Sequence, residues 1–240
     1  MTPSDKTFKD FVSHILSFEG GLSKDERDTA VSCAPFKGAY HTNKGVTYCT
    51  FKSLAESLGI PNTYDRFIKM TDDDTAKFIY HFYKESHGDL MPPSIGLSVT
   101  EASWGSGVSR AMKNLQQALF NLGKLSSSDV DGGWGSDTQN AVKSVSEPIL
   151  YSAFWKERQR FIDSLTAQPK YAMYKKGWQR RIDSFLSNIN FPNIIKTTGQ
   201  QVTSAITTAK KNPYKTIAIL TIIGVGILIF NGKTKYFKIK

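Results

Sequence analysis

The residues whose types best suit chemistry are Glu19, Gly20 and Gly21, which follow an apolar run near the start of the chain. The apolar periodicity places Glu19 at the carboxyl end of a helix, where the helix dipole is negative, and directly after Phe18. Both surroundings disfavour an ionised carboxylate, and an acid that keeps its proton near neutral pH suits glycosidic bond cleavage. The two glycines would let a substrate approach the backbone. Position alone also fits a surface glutamate before a helix cap, so other motifs must decide.

The elements that would position Glu19 are predominantly helical. Phe8, Phe11, Val12, Ile15 and Leu16 recur at helical spacing, and Thr71 with Asp74 resembles a capping pair that opens another helix. Strand-like alternation is scarce. The polar segment 23–50 is predicted to be irregular, and a small β-hairpin is expected only within 30–50. The segment 88–98 is predicted as a loop. The sequence therefore predicts a mainly α fold, with helices over 8–16, 51–58, 71–83, 108–122, 138–145, 148–165 and 177–186.

The charge distribution argues against nucleic acid as a partner. The chain has 31 basic and 21 acidic residues, but residues 187–240 hold eight lysines and no acid. The first 186 residues therefore carry 23 basic and 21 acidic groups and are almost neutral. A nucleic-acid-binding domain would carry its basic surface on the fold itself.

The basic end of the chain surrounds an apolar run, "TIAILTIIGVGILIF", at 216–230. As a helix it would be about 22 Å long, and Tyr214 with flanking lysines would extend its reach towards the bilayer surfaces. We therefore expect a tether over 187–212, a transmembrane helix over 213–231 that contacts lipid, and a basic tail over 232–240. The alternative is a pair of β-branched strands interrupted at Gly224 and Gly226.

The start of the chain, "MTPSDKTFKDF", does not resemble a secretory leader, so we expect a single-pass protein anchored at its carboxyl end. The enzyme would then reach the cell wall as part of a phage, with virion proteins as partners. Its location would be an internal virion membrane or the host envelope. The two cysteines, Cys33 and Cys49, flank one loop region. They could form a disulfide or remain two reduced, buried thiols.

Several motifs together resemble one enzyme family. "FEGGLSKDERDTA" and "HTNKGVTYCTF" are similar to the amino-terminal signature of the glycoside hydrolase family 108 muramidases, and "TAKFIYHFYKE" is similar to their middle helix. "AMKNLQQALFNLG", "DVDGGWGSDTQNAV" and "GWQRRIDSF" resemble the peptidoglycan-binding region that completes these proteins. The resemblance implies a lysozyme-like catalytic region over 1–105 and a helical peptidoglycan-binding region over 106–186.

The resemblance also implies roles for individual residues. Glu19 would be the catalytic acid, and Asp28 and Thr42 match the aspartate and threonine that follow it in lysozyme-like enzymes. Family members commonly have a compact link between these two residues, whereas thirteen residues separate them here, so Thr47 competes with Thr42. Gly20, Gly21 and Thr47 are expected to bind substrate. Trp134, in a turn, is expected to be an exposed stacking face for glycan, whereas Trp155 and Trp178 are expected in the core.

The resemblance thus implies an N-acetylmuramidase that cleaves the β-1,4 bond between N-acetylmuramic acid and N-acetylglucosamine in peptidoglycan. No cofactor and no metal site are expected, because the four histidines lack zinc-site spacing. Cys33 with His41 as a thiol nucleophile and base, and a calcium loop at 129–137, fit their motifs less well. The remaining alternatives are a cell-wall amidase or endopeptidase, and a structural membrane protein that binds peptidoglycan without cleaving it.

Overall fold

The computed structural model describes residues 1–188, 225–230 and 233–238. The first part is mainly α-helical with one small hairpin, as the sequence predicts. Its helices are α1 (Lys6–Leu16), α2 (Tyr48–Leu54), α3 (Tyr64–Ile68), α4 (Asp72–Glu85), α5 (Pro93–Ser106), α6 (Val108–Asn121), α7 (Ser136–Lys143), α8 (Glu147–Thr166), α9 (Pro169–Ala172) and α10 (Lys175–Asn188). Short 3-10 turns lie at Thr29–Cys33, Glu56–Leu58, Gly88–Leu90 and Ser127–Asp129.

Helices α1 and α4 form for the reasons that the sequence suggests. The apolar face of α1 is buried through Phe8, Phe11, Val12 and Ile15. A capping box opens α4, since the backbone N–H of Asp74 donates to the Thr71 hydroxyl over 3.1 Å and the Thr71 N–H donates to the Asp74 carboxylate over 2.9 Å.

Helix α5 corrects the second half of the predicted loop at 88–98, because the helix begins at Pro93. Every residue from Ser94 to Ser103 in this helix is buried, and it packs against α4, α6 and α8. Proline at the first position suits a helix start, where no backbone N–H donor is needed. A helix that is buried on all sides lacks the one-sided apolar stripe that reveals surface helices, which explains why the periodicity missed it.

The hairpin consists of β1 (Thr42–Asn43) and β2 (Val46–Thr47), paired antiparallel with Thr42 opposite Thr47. Its turn residues, Lys44 and Gly45, both have left-handed φ angles, 47° and 80°, as a tight two-residue hairpin turn requires. The side-chain amide of Asn43 donates to the carbonyl groups of Phe67 and Ile68 over 2.7 and 3.1 Å and anchors the hairpin to α3.

Two apolar clusters hold the helices together. The smaller cluster joins the hairpin to α2, α3 and α4 through Val46, Phe51, Phe67 and Phe78. The larger one extends from Phe8 in α1 to Phe185 in α10 and includes residues of α5, α6 and α8. The two sequence regions implied by the family resemblance therefore share one core.

The carboxyl-terminal elements correct part of the predicted transmembrane helix. Strand β3 (Val225–Phe230) pairs antiparallel with β4 (Lys233–Lys238), so the described portions of the span 213–231 and of the tail 232–240 are extended. β-branched residues favour strands, and "NG" between two such runs is a strong hairpin signal. The predicted tether begins inside α10, which ends at Asn188; residues 189–224 lie outside the described residues. Within the described residues, no helix is both long and apolar enough to cross a bilayer.

Candidate active site

The side chain of Glu19 is fixed by two donors from distant parts of the chain. Helix α1 ends at Leu16, and the turn that follows brings the Glu19 N–H to the Leu16 carbonyl over 3.1 Å. The Trp104 indole N–H and a terminal N–H group of Arg181 then both donate to the same carboxylate oxygen, Oε1, over 2.7 Å each. The Glu19 side chain is 14% exposed. The sequence expected an apolar setting beside a helix end, whereas the structure supplies an ion pair and an indole.

The second oxygen of Glu19 faces the hairpin turn. A Cβ atom placed on Gly45 would lie 2.5 Å from Glu19 Oε2 and 3.0 Å from the Trp104 ring. Gly45 is therefore required twice, for its left-handed backbone and for the space that the glutamate occupies. Oε2 accepts no hydrogen bond from any residue that the structure describes, which leaves it available to a ligand.

Behind Glu19 lies a buried group of charges. Arg181 Nε donates to Glu101 Oε1 over 2.8 Å, and Arg158 Nε lies 3.8 Å from Glu101 Oε2. Glu101 is 1% exposed. Burial alone would lower the pKa of Arg181, but the carboxylates of Glu101 and Glu19 raise it above its ordinary value. Burial lowers the pKa of Arg158, and the neighbouring Arg181 adds to that effect.

Gly20 and Gly21 lie beside the acid and are exposed. A Cβ atom on either would meet nothing within 4 Å, and neither has a left-handed φ angle. The local backbone therefore does not require glycine, and the space in front of it is open. Their assignment to substrate binding stays a prediction.

Asp28 lies in the loop after Gly21 and has a structural contact of its own. Its Oδ1 accepts from the backbone N–H of Ala30 over 2.9 Å and caps the 3-10 turn Thr29–Cys33. Cys33 and Cys49 form a disulfide, which ties this turn to the start of α2 and removes the free thiol that a cysteine nucleophile would need. No hydrogen bond joins Asp28 to Glu19 within the described chain, and the role of Asp28 stays a prediction.

Thr42 is connected to the Glu19 loop and to a buried histidine. The Ser23 N–H donates to the Thr42 carbonyl over 2.8 Å, so the chain after the two glycines pairs with β1. The His41 ring contacts the Thr42 hydroxyl through Nδ1 over 2.9 Å and the Asp25 carbonyl through Nε2 over 3.2 Å. A carbonyl only accepts, so Nε2 must carry hydrogen, and in a neutral ring Nδ1 then accepts from the Thr42 hydroxyl.

The competing threonine, Thr47, has a different environment. It lies opposite Thr42 in the hairpin, and its hydroxyl accepts from the Thr50 N–H over 3.2 Å to cap α2. It also lies 3.0 Å from the Thr50 hydroxyl. Thr47 therefore has a helix-capping role that accounts for its residue type, and its assignment to substrate binding stays a prediction.

Trp134 is half-buried and packs against the larger core cluster. One face stacks on the His87 ring, with centroids 5.3 Å apart and an interplanar angle of 18°. Its environment is thus less open than the expected exposed platform, and its role in glycan binding stays a prediction. Trp155 is buried and Trp178 packs against the core, as expected.

The sequence interpretation did not connect four residues with Glu19: Gly45, Glu101, Trp104 and Arg181. Gly45 and Arg181 lie within motifs that resemble the family, "HTNKGVTYCTF" and "GWQRRIDSF", which offered a signal. Glu101 and Trp104 lie on α5, the helix that the periodicity missed. Their convergence on Glu19 depends on tertiary packing, which the residue spacing does not reveal.

Comparison with protein families identifies the class of enzyme. Residues 12–107 match the glycosyl hydrolase 108 family, and residues 110–183 match a family described as a predicted peptidoglycan domain. The chain therefore contains a glycosyl hydrolase 108 domain, which is a lysozyme-like glycoside hydrolase domain, followed by a predicted peptidoglycan-binding domain, and this confirms the resemblance. Glu19, Glu101 and Trp104 belong to the first domain and Arg181 to the second.

A similar fold occurs in SagA from Brucella abortus, whose solved structure matches with a TM-score of 0.56 and 22% sequence identity. The match covers 76% of this chain and 93% of that chain. At this identity the likeness concerns the fold. A comparison with curated proteins found no match.

Proposed function

We propose that the chain is an N-acetylmuramidase that hydrolyses the β-1,4 bond between N-acetylmuramic acid and N-acetylglucosamine in peptidoglycan, with Glu19 as the proton donor. The observation that carries this proposal is the arrangement of the Glu19 carboxylate. One oxygen is held by Trp104 and Arg181, and the other accepts no hydrogen bond from the described residues. The Trp104 N–H can hold Oε1 in both protonation states of Glu19. A carboxyl group whose orientation is fixed in this way is suited to proton transfer, because the donor must meet the leaving oxygen in a defined geometry.

In this mechanism Oε2 of Glu19 protonates the glycosidic oxygen as the bond to the anomeric carbon breaks. The open backbone at Gly20 and Gly21 leaves room for the glycan next to the acid. Positive charge then develops on the sugar ring, as in other carboxylate-catalysed glycoside hydrolyses.

Asp28 is proposed to stabilise that positive charge or to activate the attacking water. Its Oδ1 caps a turn, which fixes the side chain and leaves the second oxygen for this role. Thr42 is proposed to place the water. When the His41 ring is neutral, the Thr42 hydroxyl donates to His41 Nδ1, and the lone pairs of Thr42 can then accept a hydrogen from water. Thr42 is preferred to Thr47, whose oxygen already accepts from the start of α2.

Peptidoglycan is the partner that the second domain suggests, since its family is described as a predicted peptidoglycan domain. We propose that residues 110–183 hold the glycan strand and that Trp134 contributes to this contact. The part of the Trp134 ring that remains exposed would stack on a sugar.

The test is to compare the parent enzyme with Glu19→Gln on purified peptidoglycan and to identify the soluble products by mass. Glu26→Gln is a matched control, because Glu26 is exposed in the neighbouring loop. We expect the parent and the control to release fragments with reducing N-acetylmuramic acid ends, and Glu19→Gln to be slower by about 10²–10⁴-fold. New free amino groups instead of reducing ends would identify an amidase or endopeptidase. Binding without any soluble product from the parent would identify a non-catalytic binder.

We also propose that the apolar run 216–230 attaches the enzyme to a bilayer, in an internal virion membrane or the host envelope. The support is the absence of charge over fifteen residues between flanking lysines. In flotation with vesicles of phosphatidylethanolamine and phosphatidylglycerol, the full chain should float and a Leu220→Lys/Ile223→Lys variant should not. Equal behaviour of the two chains would contradict bilayer attachment through this run.

A further inference from the structure

One guanidinium group, that of Arg181, connects the proposed acid to a second, buried glutamate. It donates from a terminal nitrogen to Glu19 over 2.7 Å and from Nε to Glu101 over 2.8 Å. Glu19 and Glu101 belong to the glycosyl hydrolase domain, whereas Arg181 lies on α10 in the second domain. The second domain therefore supplies a direct contact to the acid.

The pairing of Arg181 with Glu101 is incomplete. The Nε and Nη2 atoms of an arginine lie on the edge that can bind both oxygens of one carboxylate. Here only Nε does so, while Arg181 Nη2 and Glu101 Oε2 are both buried and have no hydrogen-bond partner within the described residues. A cavity of about 70 Å³, lined by Glu101, Arg158 and Arg181, borders the group. A small rotation of the guanidinium would complete the two-bond pair and release Glu19 Oε1.

The charges in this group balance only when both glutamates are ionised. Arg158 and Arg181 then offset Glu19 and Glu101. Protonation of Glu19 leaves one excess positive charge, and Glu101 is the carboxylate placed to retain Arg181. Three further charged or titratable groups lie on neighbouring elements. His14 on α1 interacts with Glu101 and Arg181, Arg180 on α10 lies over the Phe18 ring, and Lys44 in the hairpin turn pairs with Asp72.

We propose that Arg181 and Glu101 are positioning residues for Glu19: the guanidinium holds the carboxylate in the resting enzyme and moves fully onto Glu101 when Glu19 carries the proton. This inference depends on the proposed role of Glu19 as the acid. It makes the active site a product of both domains, because α10 supplies the group that sets the geometry and charge of the acid.

The test measures the pH dependence of kcat and KM on soluble peptidoglycan fragments for Arg181→Met, Arg181→Lys and Glu101→Gln. In Arg181→Met, the alkaline limb of the pH dependence of kcat should move to higher pH by about one unit, because the Glu19 carboxylate loses a cation that stabilises its ionised form. Glu101→Gln should move it to lower pH, since Glu19 then faces the excess positive charge alone. We expect kcat to fall by about 10²-fold in Arg181→Met, with a smaller effect on KM. Arg181→Lys keeps the charge and should retain the parent limb.

The double variant Arg181→Met/Glu101→Met keeps the test decisive if the single variants fail to fold, because it removes both partners of the buried pair together. Its alkaline limb should lie close to that of the parent. Glu147→Gln is the matched control: Glu147 accepts from the Ser94 N–H and hydroxyl over 2.9 and 2.6 Å, joining the same two domains without touching Glu19. Its profile should match the parent.

Two results separate the inference from the proposed function. If Glu19→Gln is inactive while the folded Arg181 and Glu101 variants keep the parent profile, or shift it in the same direction, the positioning role is wrong and the acid assignment stands. If Glu19→Gln turns over at the parent rate, the acid assignment fails, and this inference fails with it.

Discussion

Glu19 and Glu101 bind the same arginine, but the two ends of this bridge lie in different surroundings. Glu19 is 14% exposed, next to an open glycine pair and a hairpin turn, whereas Glu101 is 1% exposed in the middle of the fully buried part of α5. The exposed end can meet a substrate, and the buried end can only balance charge. The two glutamates therefore share residue type and partner, and they differ in whether a substrate can reach their second oxygen.

The largest expected difference between the two ends concerns stability. Glu101→Ala leaves Arg158 and Arg181 without their buried carboxylate, so the free energy of unfolding should fall by about 3–5 kcal/mol. Glu19→Gln keeps the Arg181–Glu101 bond and should change it by about 1 kcal/mol or less. Denaturant unfolding at neutral pH measures both. Equal losses of stability in the two variants would contradict the difference in burial between Glu19 and Glu101 as the cause.

The surroundings of Glu19 should depend on a disulfide, whereas those of Glu101 should not. The disulfide between Cys33 and Cys49 closes a loop with a sequence separation of 16 residues, which is worth about 3 kcal/mol as lost entropy of the unfolded chain. A Cys33→Ser/Cys49→Ser variant should lose that amount and should also lose activity, because the turn capped by Asp28 is no longer fixed. An unchanged unfolding midpoint would contradict the stabilising role of this link.

Two glycines at the exposed end should respond differently to alanine. Gly45→Ala places a Cβ against Glu19 and forces alanine into a left-handed backbone, so it should cost about 1–2 kcal/mol and reduce kcat. Gly21→Ala meets open space and should alter stability by less than about 0.5 kcal/mol while raising KM. Unfolding and steady-state kinetics on both variants check this contrast. A Gly45→Ala variant with parent stability and kcat would contradict it.

The weakest effect should come from His14, whose ring packs against Phe18 and Phe185. Burial lowers its pKa below the ordinary 6.5, Arg181 adds to this and Glu101 opposes it. The unfolded chain therefore binds the proton of His14 more readily than the folded chain does. The contribution of neutral His14 to the free energy of unfolding is therefore complete above about pH 6.5 and is lost as the pH falls below that value. His14→Gln should flatten the pH dependence of stability in that window. A slope identical to that of the parent would exclude His14 as its source.

Features with a local signal were predictable. The apolar stripe of α1, the capping pair of α4 and the position of Glu19 after α1 all follow from neighbouring residues. The hairpin was anticipated within 30–50 and lies at 42–47. These features are set by short-range backbone and side-chain contacts, which the sequence displays directly.

Features that depend on packing were not predictable in this way. Helix α5 is buried on every side and shows no stripe, so Glu101 and Trp104 were not connected with Glu19. The contact from Arg181 crosses 162 positions of the chain, and residue spacing carries no information at that range. The alternative of β-branched strands interrupted at Gly224 and Gly226 keeps both strands within 216–230, whereas β3 pairs with β4, which lies beyond that run.

The role of Glu19 as the proton donor can be tested with a substrate whose leaving group needs no protonation. A dinitrophenyl β-glycoside of the disaccharide of N-acetylglucosamine and N-acetylmuramic acid releases a stable anion, so an acid contributes little to its cleavage. If Glu19 is the proton donor, Glu19→Gln should lose about 10²–10⁴-fold on peptidoglycan but much less on this glycoside, relative to the parent. Equal losses on both substrates, or no loss on peptidoglycan, would contradict the assignment.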